Sequence, residues 1–144
     1  MPIVTLCGLE EAGKTSIKIY LENIDRDQVK TPYRASENVE VYREHYLTVY
    51  VIPGQESFRY SEFLYEKCFQ PSDRIGFVVD ASDRDKFGEA KKYWEYVKKM
   101  IEKYAVKKVE VILVAHKQDK EGALDAREIA KKILSKNDIK RYNI

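Results

Sequence analysis

The sequence predicts an α/β fold: a mostly parallel sheet covered by helices on both faces, with one antiparallel hairpin strand. Three observations predict it. Short apolar runs that read as buried strands recur at 2–7, 75–80 and 109–115. Stretches of helical period follow them, at 14–24, 85–104 and from 125 to about 135. Two partly alternating runs between 38 and 52 read as a hairpin. The order β-α-β-β-α-β-α-β-α is that of a three-layer domain. A chain of 144 residues can bury one core and is too short for two, so a single domain is expected over 1–144.

Taken in order, Pro2-Ile3-Val4-Thr5-Leu6-Cys7 is an apolar run of strand length. The helix over 14–24 sets Ile17, Leu21 and Ile24 on one face. From Asp25 to Glu37 there is no periodicity, and Thr31-Pro32 lies inside, so this is a loop. A loop of that length in a compact domain is usually a binding segment or a lid. Val39-Glu40-Val41 and Leu47-Thr48-Val49-Tyr50-Val51-Ile52 are the hairpin strands, and Pro53-Gly54 ends the second. A helical stretch follows, with Phe58, Phe63, Leu64 and Phe69 partly in phase, and stops before Pro71. Ile75-Gly76-Phe77-Val78-Val79-Asp80 is a buried strand. The long helix carries Phe87, Tyr93, Trp94, Val97, Ile101 and Tyr104 as a core-facing stripe. After the strand at 109–115, Asp125 caps a helix that turns Ile129, Ile133 and Leu134 inward.

Composition excludes several functions. Hydrophobic residues make up 44% and charged ones 35%, a globular balance, and no run of apolar residues is long enough to span a bilayer. A net charge of +2 from 26 basic and 24 acidic residues argues against a dedicated nucleic-acid binder. The Lys pairs at 91–92, 98–99, 107–108 and 131–132 are dispersed and mostly beside acids, as on solvated helix faces. No signal peptide or lipidation motif is read, so a cytoplasmic protein without a lipid anchor is expected. Cys7 and Cys68 sit in apolar settings and read as buried thiols rather than a disulfide, and no spacing suggests zinc. A heavy Lys and Glu load with few Cys and Met fits a thermophile.

Chemistry concentrates in the loops after strand carboxyl ends, where ligands of such folds bind. Gly8-Leu9-Glu10-Glu11-Ala12-Gly13-Lys14-Thr15 is G-x-x-x-x-G-K-T between a strand and a helix, the context that a phosphate-binding P-loop requires. Successive N–H groups and the helix start form a hollow for phosphate. Lys14 reaches the β- and γ-phosphates, and the Thr15 hydroxyl ligates Mg²⁺. In Pro53-Gly54-Gln55-Glu56, the Gly54 N–H can approach a γ-phosphate and Gln55 can orient water for in-line attack. In His116-Lys117-Gln118-Asp119, the Asp119 carboxylate can accept from guanine N1–H and the 2-amino group, a donor pair that adenine lacks. Lys117 can pack along the P-loop and the base. Asp80 also matches a loose metal-acid pattern at a strand end, which would make the chain an ATPase; a structural role for it is preferred.

These motifs are similar to those of the Ras-superfamily small GTPases, in particular the Arf/Sar-like and Rag-like branches. Gly8 to Thr15 resembles the Arf-type P-loop, Asn38-Val39-Glu40 the strand after switch I, and Gly54-Gln55-Glu56 the start of switch II. Phe77-Val78-Val79-Asp80-Ala81-Ser82-Asp83-Arg84 resembles the Arf fourth strand, and His116-Lys117-Gln118-Asp119 the N-K-x-D base motif, with the His that Rag-like members carry. The resemblance covers about 2–144 and implies a P-loop NTPase three-layer fold lacking the usual last strand and helix, in a protein of archaeal type. It implies a switch that binds GTP or GDP with Mg²⁺. The nucleotide-binding residues would be Gly8, Glu10, Glu11, Ala12, Gly13, Lys14, Thr15, Ser16, Gly54, His116, Lys117 and Asp119. Gln55 and Lys14 would be catalytic, and Thr15 and Thr31 metal ligands, with Ser36 the rival to Thr31. Switch I (25–37) and switch II (53–68) would read the γ-phosphate out to an effector or activating protein.

Three departures qualify this. The family's D-x-x-G is Val51-Ile52-Pro53-Gly54, so the acid that holds Mg²⁺ through water is missing, and Glu10, Glu11 and Asp80 are the candidate replacements. Glu10 and Glu11 put like charge beside the phosphates, which suits either slow hydrolysis helped by a partner or an altered nucleotide preference; Arg34 and Arg59 are the candidate arginine fingers. Arg141-Tyr142-Asn143-Ile144 reads as only the start of a sixth strand, so either the domain is incomplete at its C-terminus or a partner or a second copy covers the place of the last helix. The alternatives are a non-hydrolysing pseudo-GTPase scaffold and, through Asp80, a small P-loop kinase or ATPase.

Overall fold

Four strands of the sheet run parallel, and the first strand of the hairpin runs antiparallel to its neighbour. The computed structural model describes residues 2–18, 39–44, 47–142 and 144. In chain order these form β1 (Ile3–Gly8), α1 (helical over 14–18), β2 (Glu40–Glu44), β3 (Leu47–Val51), α2 (Glu62–Phe69), β4 (Arg74–Asp80), α3 (Phe87–Tyr104), β5 (Glu110–His116), α4 (Ala126–Ile133) and α5 (Lys136–Tyr142). The sheet order is β2-β3-β1-β4-β5. Val4 pairs with Val49, Cys7 with Phe77 and Val78 with Val114, all in parallel register; Val41 and Tyr50 pair antiparallel.

The period of two along each strand divides the core. Cys7, Ile75, Phe77 and Val79 face one side, where α2, α3 and α4 bring Leu64, Tyr65, Cys68, Phe69, Tyr93, Trp94, Val97, Ile129 and Ile133. Leu6, Val49, Val51 and Val78 face the other, with Ala12 buried there and Ile17 of α1 packed against them. The apolar stripe of α3 is core, as its periodicity predicts. The residues of the helix expected beyond 18, and switch I with Thr31, Arg34 and Ser36, lie outside the described residues.

Two expectations are corrected. The stretch after Gly54 is not helical until Glu62, so the buried face of α2 runs through Leu64, Tyr65, Cys68 and Phe69, and Phe63 stands 67% exposed. Residues 141 and 142 do not begin a strand; they end α5. Ser135 and Asp138 make a reciprocal cap at its start: the Ser135 N–H donates to Asp138 Oδ2 (3.1 Å) and the Asp138 N–H to Ser135 Oγ (3.0 Å). Tyr142 then packs edge-on against Trp94. Among the described residues the sheet has five strands.

Two buried polar groups are fully explained by partners. The Thr5 and Ser72 hydroxyls bond at 2.7 Å, and Ser72 donates to the Cys68 carbonyl at 2.6 Å, closing the end of α2 onto β1. Cys7 and Cys68 are free, buried thiols. Burial pushes the Cys7 pKa up to about 12 and the Cys68 pKa up to about 11. Neither is a nucleophile in the native state. At pH 8 neither thiol of the native protein is expected to react with a colorimetric disulfide reagent until denaturant is added; fast reaction of both would contradict the packing.

Asp138, 3% exposed, also accepts from Trp94 Nε1 (3.0 Å) and pairs with Lys98 (3.1 Å). Burial would raise its pKa, but the bonds from Trp94, Ser135 and Lys98 outweigh that and hold it below the usual carboxylate range. The bonds to the carboxylate therefore stabilise the fold above the unfolded carboxyl pKa of about 3.9, and are lost as pH falls through the lower folded value. Asp138→Asn is expected to cost about 2–4 kcal/mol at pH 7, read from urea unfolding by the fluorescence of Trp94, with the penalty shrinking below about pH 4.

Candidate functional site

The carboxyl ends of β1, β3 and β5 deliver three loops to one place. The first, residues 9–13, leaves β1 and enters α1. Lys14, 6% exposed, is folded back beneath it: its ammonium donates to the Gly8 and Leu9 carbonyls, both at 2.7 Å. The loop's own carbonyls thus fix the cation at its centre, where the sequence predicts phosphate contact. Glu11 takes a positive φ of 63°. Glu10 and Glu11 are both exposed. Thr15 and Ser16 are in the first turn of α1, Ser16 exposed and Thr15 half-buried.

The second loop lies directly on the first. The Glu10 N–H donates to the Gly54 carbonyl at 3.1 Å. A Cβ on Gly54 would stand 2.5 Å from the Leu9 carbonyl carbon and 2.5 Å from Lys14 Nζ, so no other residue fits this approach. Gln55 follows, half-buried; its carbonyl accepts from the Phe58 and Arg59 N–H groups and starts the turn toward α2. Val51, where an acid was sought, is a fully buried sheet residue.

The third loop is tied to the first by Lys117, which takes a positive φ of 65°. Its ammonium donates to the Glu11 carbonyl at 2.8 Å and pairs with Asp80 at 3.0 Å. Asp80 Oδ1 accepts from the Ser82 N–H (3.0 Å) and hydroxyl (2.6 Å). Burial would raise the Asp80 pKa, yet these bonds and Lys117 bring it below the ordinary value. Asp80 is a loop-fastening carboxylate with both oxygens engaged. Among the described residues, no group of three or more His, Cys, Asp and Glu side chains is arranged to hold a metal. The His116 ring lies against Gly13, whose φ is 117°; a Cβ there would meet His116 Cγ at 2.7 Å. Asp119 is exposed at the loop tip. A cavity of about 280 Å³ is lined by Glu11, Gly13, Ser16 and Lys117, between the first and third loops.

Two residues outside the predicted set complete the arrangement. Gln118, the variable position of its motif, donates from Nε2 to the Leu124 carbonyl at 2.7 Å and holds the third loop's return. Arg59, weighed from the sequence only as a finger, is turned inward and 5% exposed; Nη2 meets Glu89 of α3 at 2.5 Å and Nη1 donates to the Gly54 carbonyl at 3.3 Å. The signal for such a role is absent from local sequence, because Glu89 is on a different element.

Comparisons with known proteins agree with this geometry. The family model described as "Arf: ADP-ribosylation factor family" matches residues 1–144. Among solved structures, the Arl6 BBS3 small GTPase from Trypanosoma brucei, with bound nucleotide analogue GppNp, is 25% identical at a TM-score of 0.68, over 92% of this chain and 76% of that one. The mammalian SRP receptor is 20% identical at a TM-score of 0.72, over 91% of this chain and 70% of that one, a likeness of fold.

The Gly13–His116 contact is testable by a double-mutant cycle. Gly13→Ala is expected to destabilise by about 2–4 kcal/mol through strain and overlap. His116→Ala should recover the overlap part, about 1–2 kcal/mol, leaving the φ strain. Additive effects in urea unfolding would show that the ring does not press on the loop.

Proposed function

The chain belongs to the ADP-ribosylation factor family, a family of GTP-binding GTPases, and on that premise we propose that it is a guanine-nucleotide switch that hydrolyses GTP slowly and with the help of a partner. The observation that carries the reading is the meeting of three loops around Lys14: the P-loop, the Gly54 turn and the Lys117 loop, each joined to the first by a backbone or ammonium hydrogen bond. A phosphate chain seated on the N–H groups of Glu11, Gly13, Lys14 and Thr15, with the Ala12 N–H donating to the Leu9 carbonyl at 3.2 Å, would lie at the start of α1, where the helix end favours negative charge. Lys14 would neutralise the β- and γ-phosphates, Gly8 would leave the loop room to curl, and Ser16 would line the α-phosphate side beside the cavity it shares with Lys117.

Guanine would be read by Asp119, with Lys117 along its face and His116 bracing Gly13 from behind. Mg²⁺ would be held by the Thr15 hydroxyl and by the nucleotide's own phosphate oxygens, the usual mode for a cation that keeps most of its waters; Thr31 is the second proposed ligand. Val51 supplies nothing to it, and Asp80 is engaged with Ser82 and Lys117. This favours a weakly held metal and slow turnover. Gln55, one residue beyond the Gly54 contact, would orient the attacking water. Arg59 is committed to Glu89, which speaks against a role as a finger in cis and for an activating partner. Switch regions 25–37 and 53–68 are the proposed contact surfaces for effector and activator, in the cytoplasm, with a partner or second copy as a further proposed contact.

The scaffold reading draws on the same Val51, and on the Gly54 carbonyl that occupies the Glu10 N–H of the P-loop. Single-turnover hydrolysis separates the two. GTP cleavage that falls about 10-fold or more in Gln55→Leu supports the switch; no cleavage by the wild-type chain, even at long times, supports the scaffold. For the base, Asp119→Asn should exchange guanine for xanthine preference in a nucleotide titration, with guanine affinity down about 100-fold or more. Unchanged preference would remove Asp119 from base recognition.

A further inference from the structure

The carbonyl of Gly54 is gripped from two sides. It accepts from the Glu10 N–H of the P-loop at 3.1 Å and from Arg59 Nη1 at 3.3 Å. Arg59 is itself immobilised: Nη2 is anchored on Glu89 at 2.5 Å, the guanidinium stacks 5.4 Å from the Tyr60 ring centre and 5.9 Å from that of Tyr93, and its carbonyl accepts from the Tyr65 hydroxyl, which also pairs with that of Tyr93. Tyr93 and Glu89 are on α3, the long core helix, so the grip is anchored in rigid structure. Burial opposes the Arg59 charge, and the interactions with Glu89 and Tyr60 together outweigh it.

We propose that Arg59 is a positioning residue that holds the Gly54 carbonyl over the P-loop and so biases the site toward nucleoside diphosphate over triphosphate. The proposal rests on the nucleotide reading of the site. A terminal phosphate brings acceptor oxygens and negative charge to the mouth of the loop, beside Lys14 and the Glu10 N–H. The Gly54 carbonyl is also an acceptor, and it already occupies that N–H. Two acceptors compete for one donor, so the triphosphate state requires the Gly54 carbonyl to turn away. Turning it breaks its bond from Arg59. A diphosphate ends short of this point and leaves the grip intact. Arg59 touches no reacting atom in this scheme; it acts through Gly54.

The test is a ratio. The full chain, Glu89→Gln and Arg59→Lys are titrated with fluorescent GDP and a fluorescent non-hydrolysable GTP analogue in Mg²⁺, with folding of each checked by Trp94 emission. Glu89→Gln removes the anchor charge and keeps shape, and Arg59→Lys keeps the charge and removes the fork that spans Glu89 and Gly54. Both are expected to raise triphosphate affinity relative to diphosphate by about twofold to tenfold, the worth of one hydrogen bond. A residue with only a structural role would weaken both ligands together and leave the ratio unmoved. An unmoved ratio, or a shift toward diphosphate, in variants that bind nucleotide overturns the proposal and leaves the site reading standing. A wild-type chain that binds neither nucleotide overturns both.

Discussion

The close seating of Gly54 on the P-loop is the contact on which the rest of the site depends. It brings the end of β3 against the loop after β1, with no room for a Cβ between the Leu9 carbonyl carbon and the Lys14 ammonium. Those loops meet because β1 and β3 are parallel neighbours in register, so their carboxyl ends emerge side by side. Lys14 is then enclosed by carbonyls, which fixes a buried cation that a bare cavity would not tolerate. The sheet's parallel topology therefore leads directly to a positive centre ringed by backbone amides.

The same logic accounts for Asp80 and Lys117. Both stand at the ends of neighbouring strands, β4 and β5, where Asp80 pairs with His116 in register. Lys117 reaches back to Glu11 while its charge is balanced by Asp80. The third loop is thus fastened to the first by one ammonium with two partners. Its positive φ turns the chain so that Asp119 is carried outward. The third loop and the first are thereby joined into one unit.

Much of this was legible in the sequence. Period and length located all five strands of the described sheet and the long helix, because those signals come from burial on one or two faces. The three site loops were legible because glycines and charged residues interrupt apolar strands there. What failed was local: α2 starts later than its aromatic pattern suggested, since Phe58 and Phe63 are not on its buried face. The end of the chain looked strand-like from family pattern, whereas the Ser135–Asp138 cap and the Trp94–Tyr142 contact make it helix. The inward turn of Arg59 was illegible because it depends on a partner on α3 that only the fold brings near. Thr31 and the rest of switch I lie outside the described residues.

Loss of the acid at position 51 is the sharpest departure from the family's resemblance, and Val51 is used instead as core beneath the sheet. On the proposed reading, the nucleotide is bound mainly through backbone and Lys14, with Mg²⁺ as a modest addition. The most direct measurement is a fluorescence titration of nucleotide-stripped protein with GDP, GTP and ATP, each with and without Mg²⁺. The expected result is binding of both guanine nucleotides, strengthened by Mg²⁺ by less than about 100-fold, and discrimination against ATP of about 100-fold or more. Preference for ATP, or no binding of any of the three, would contradict it.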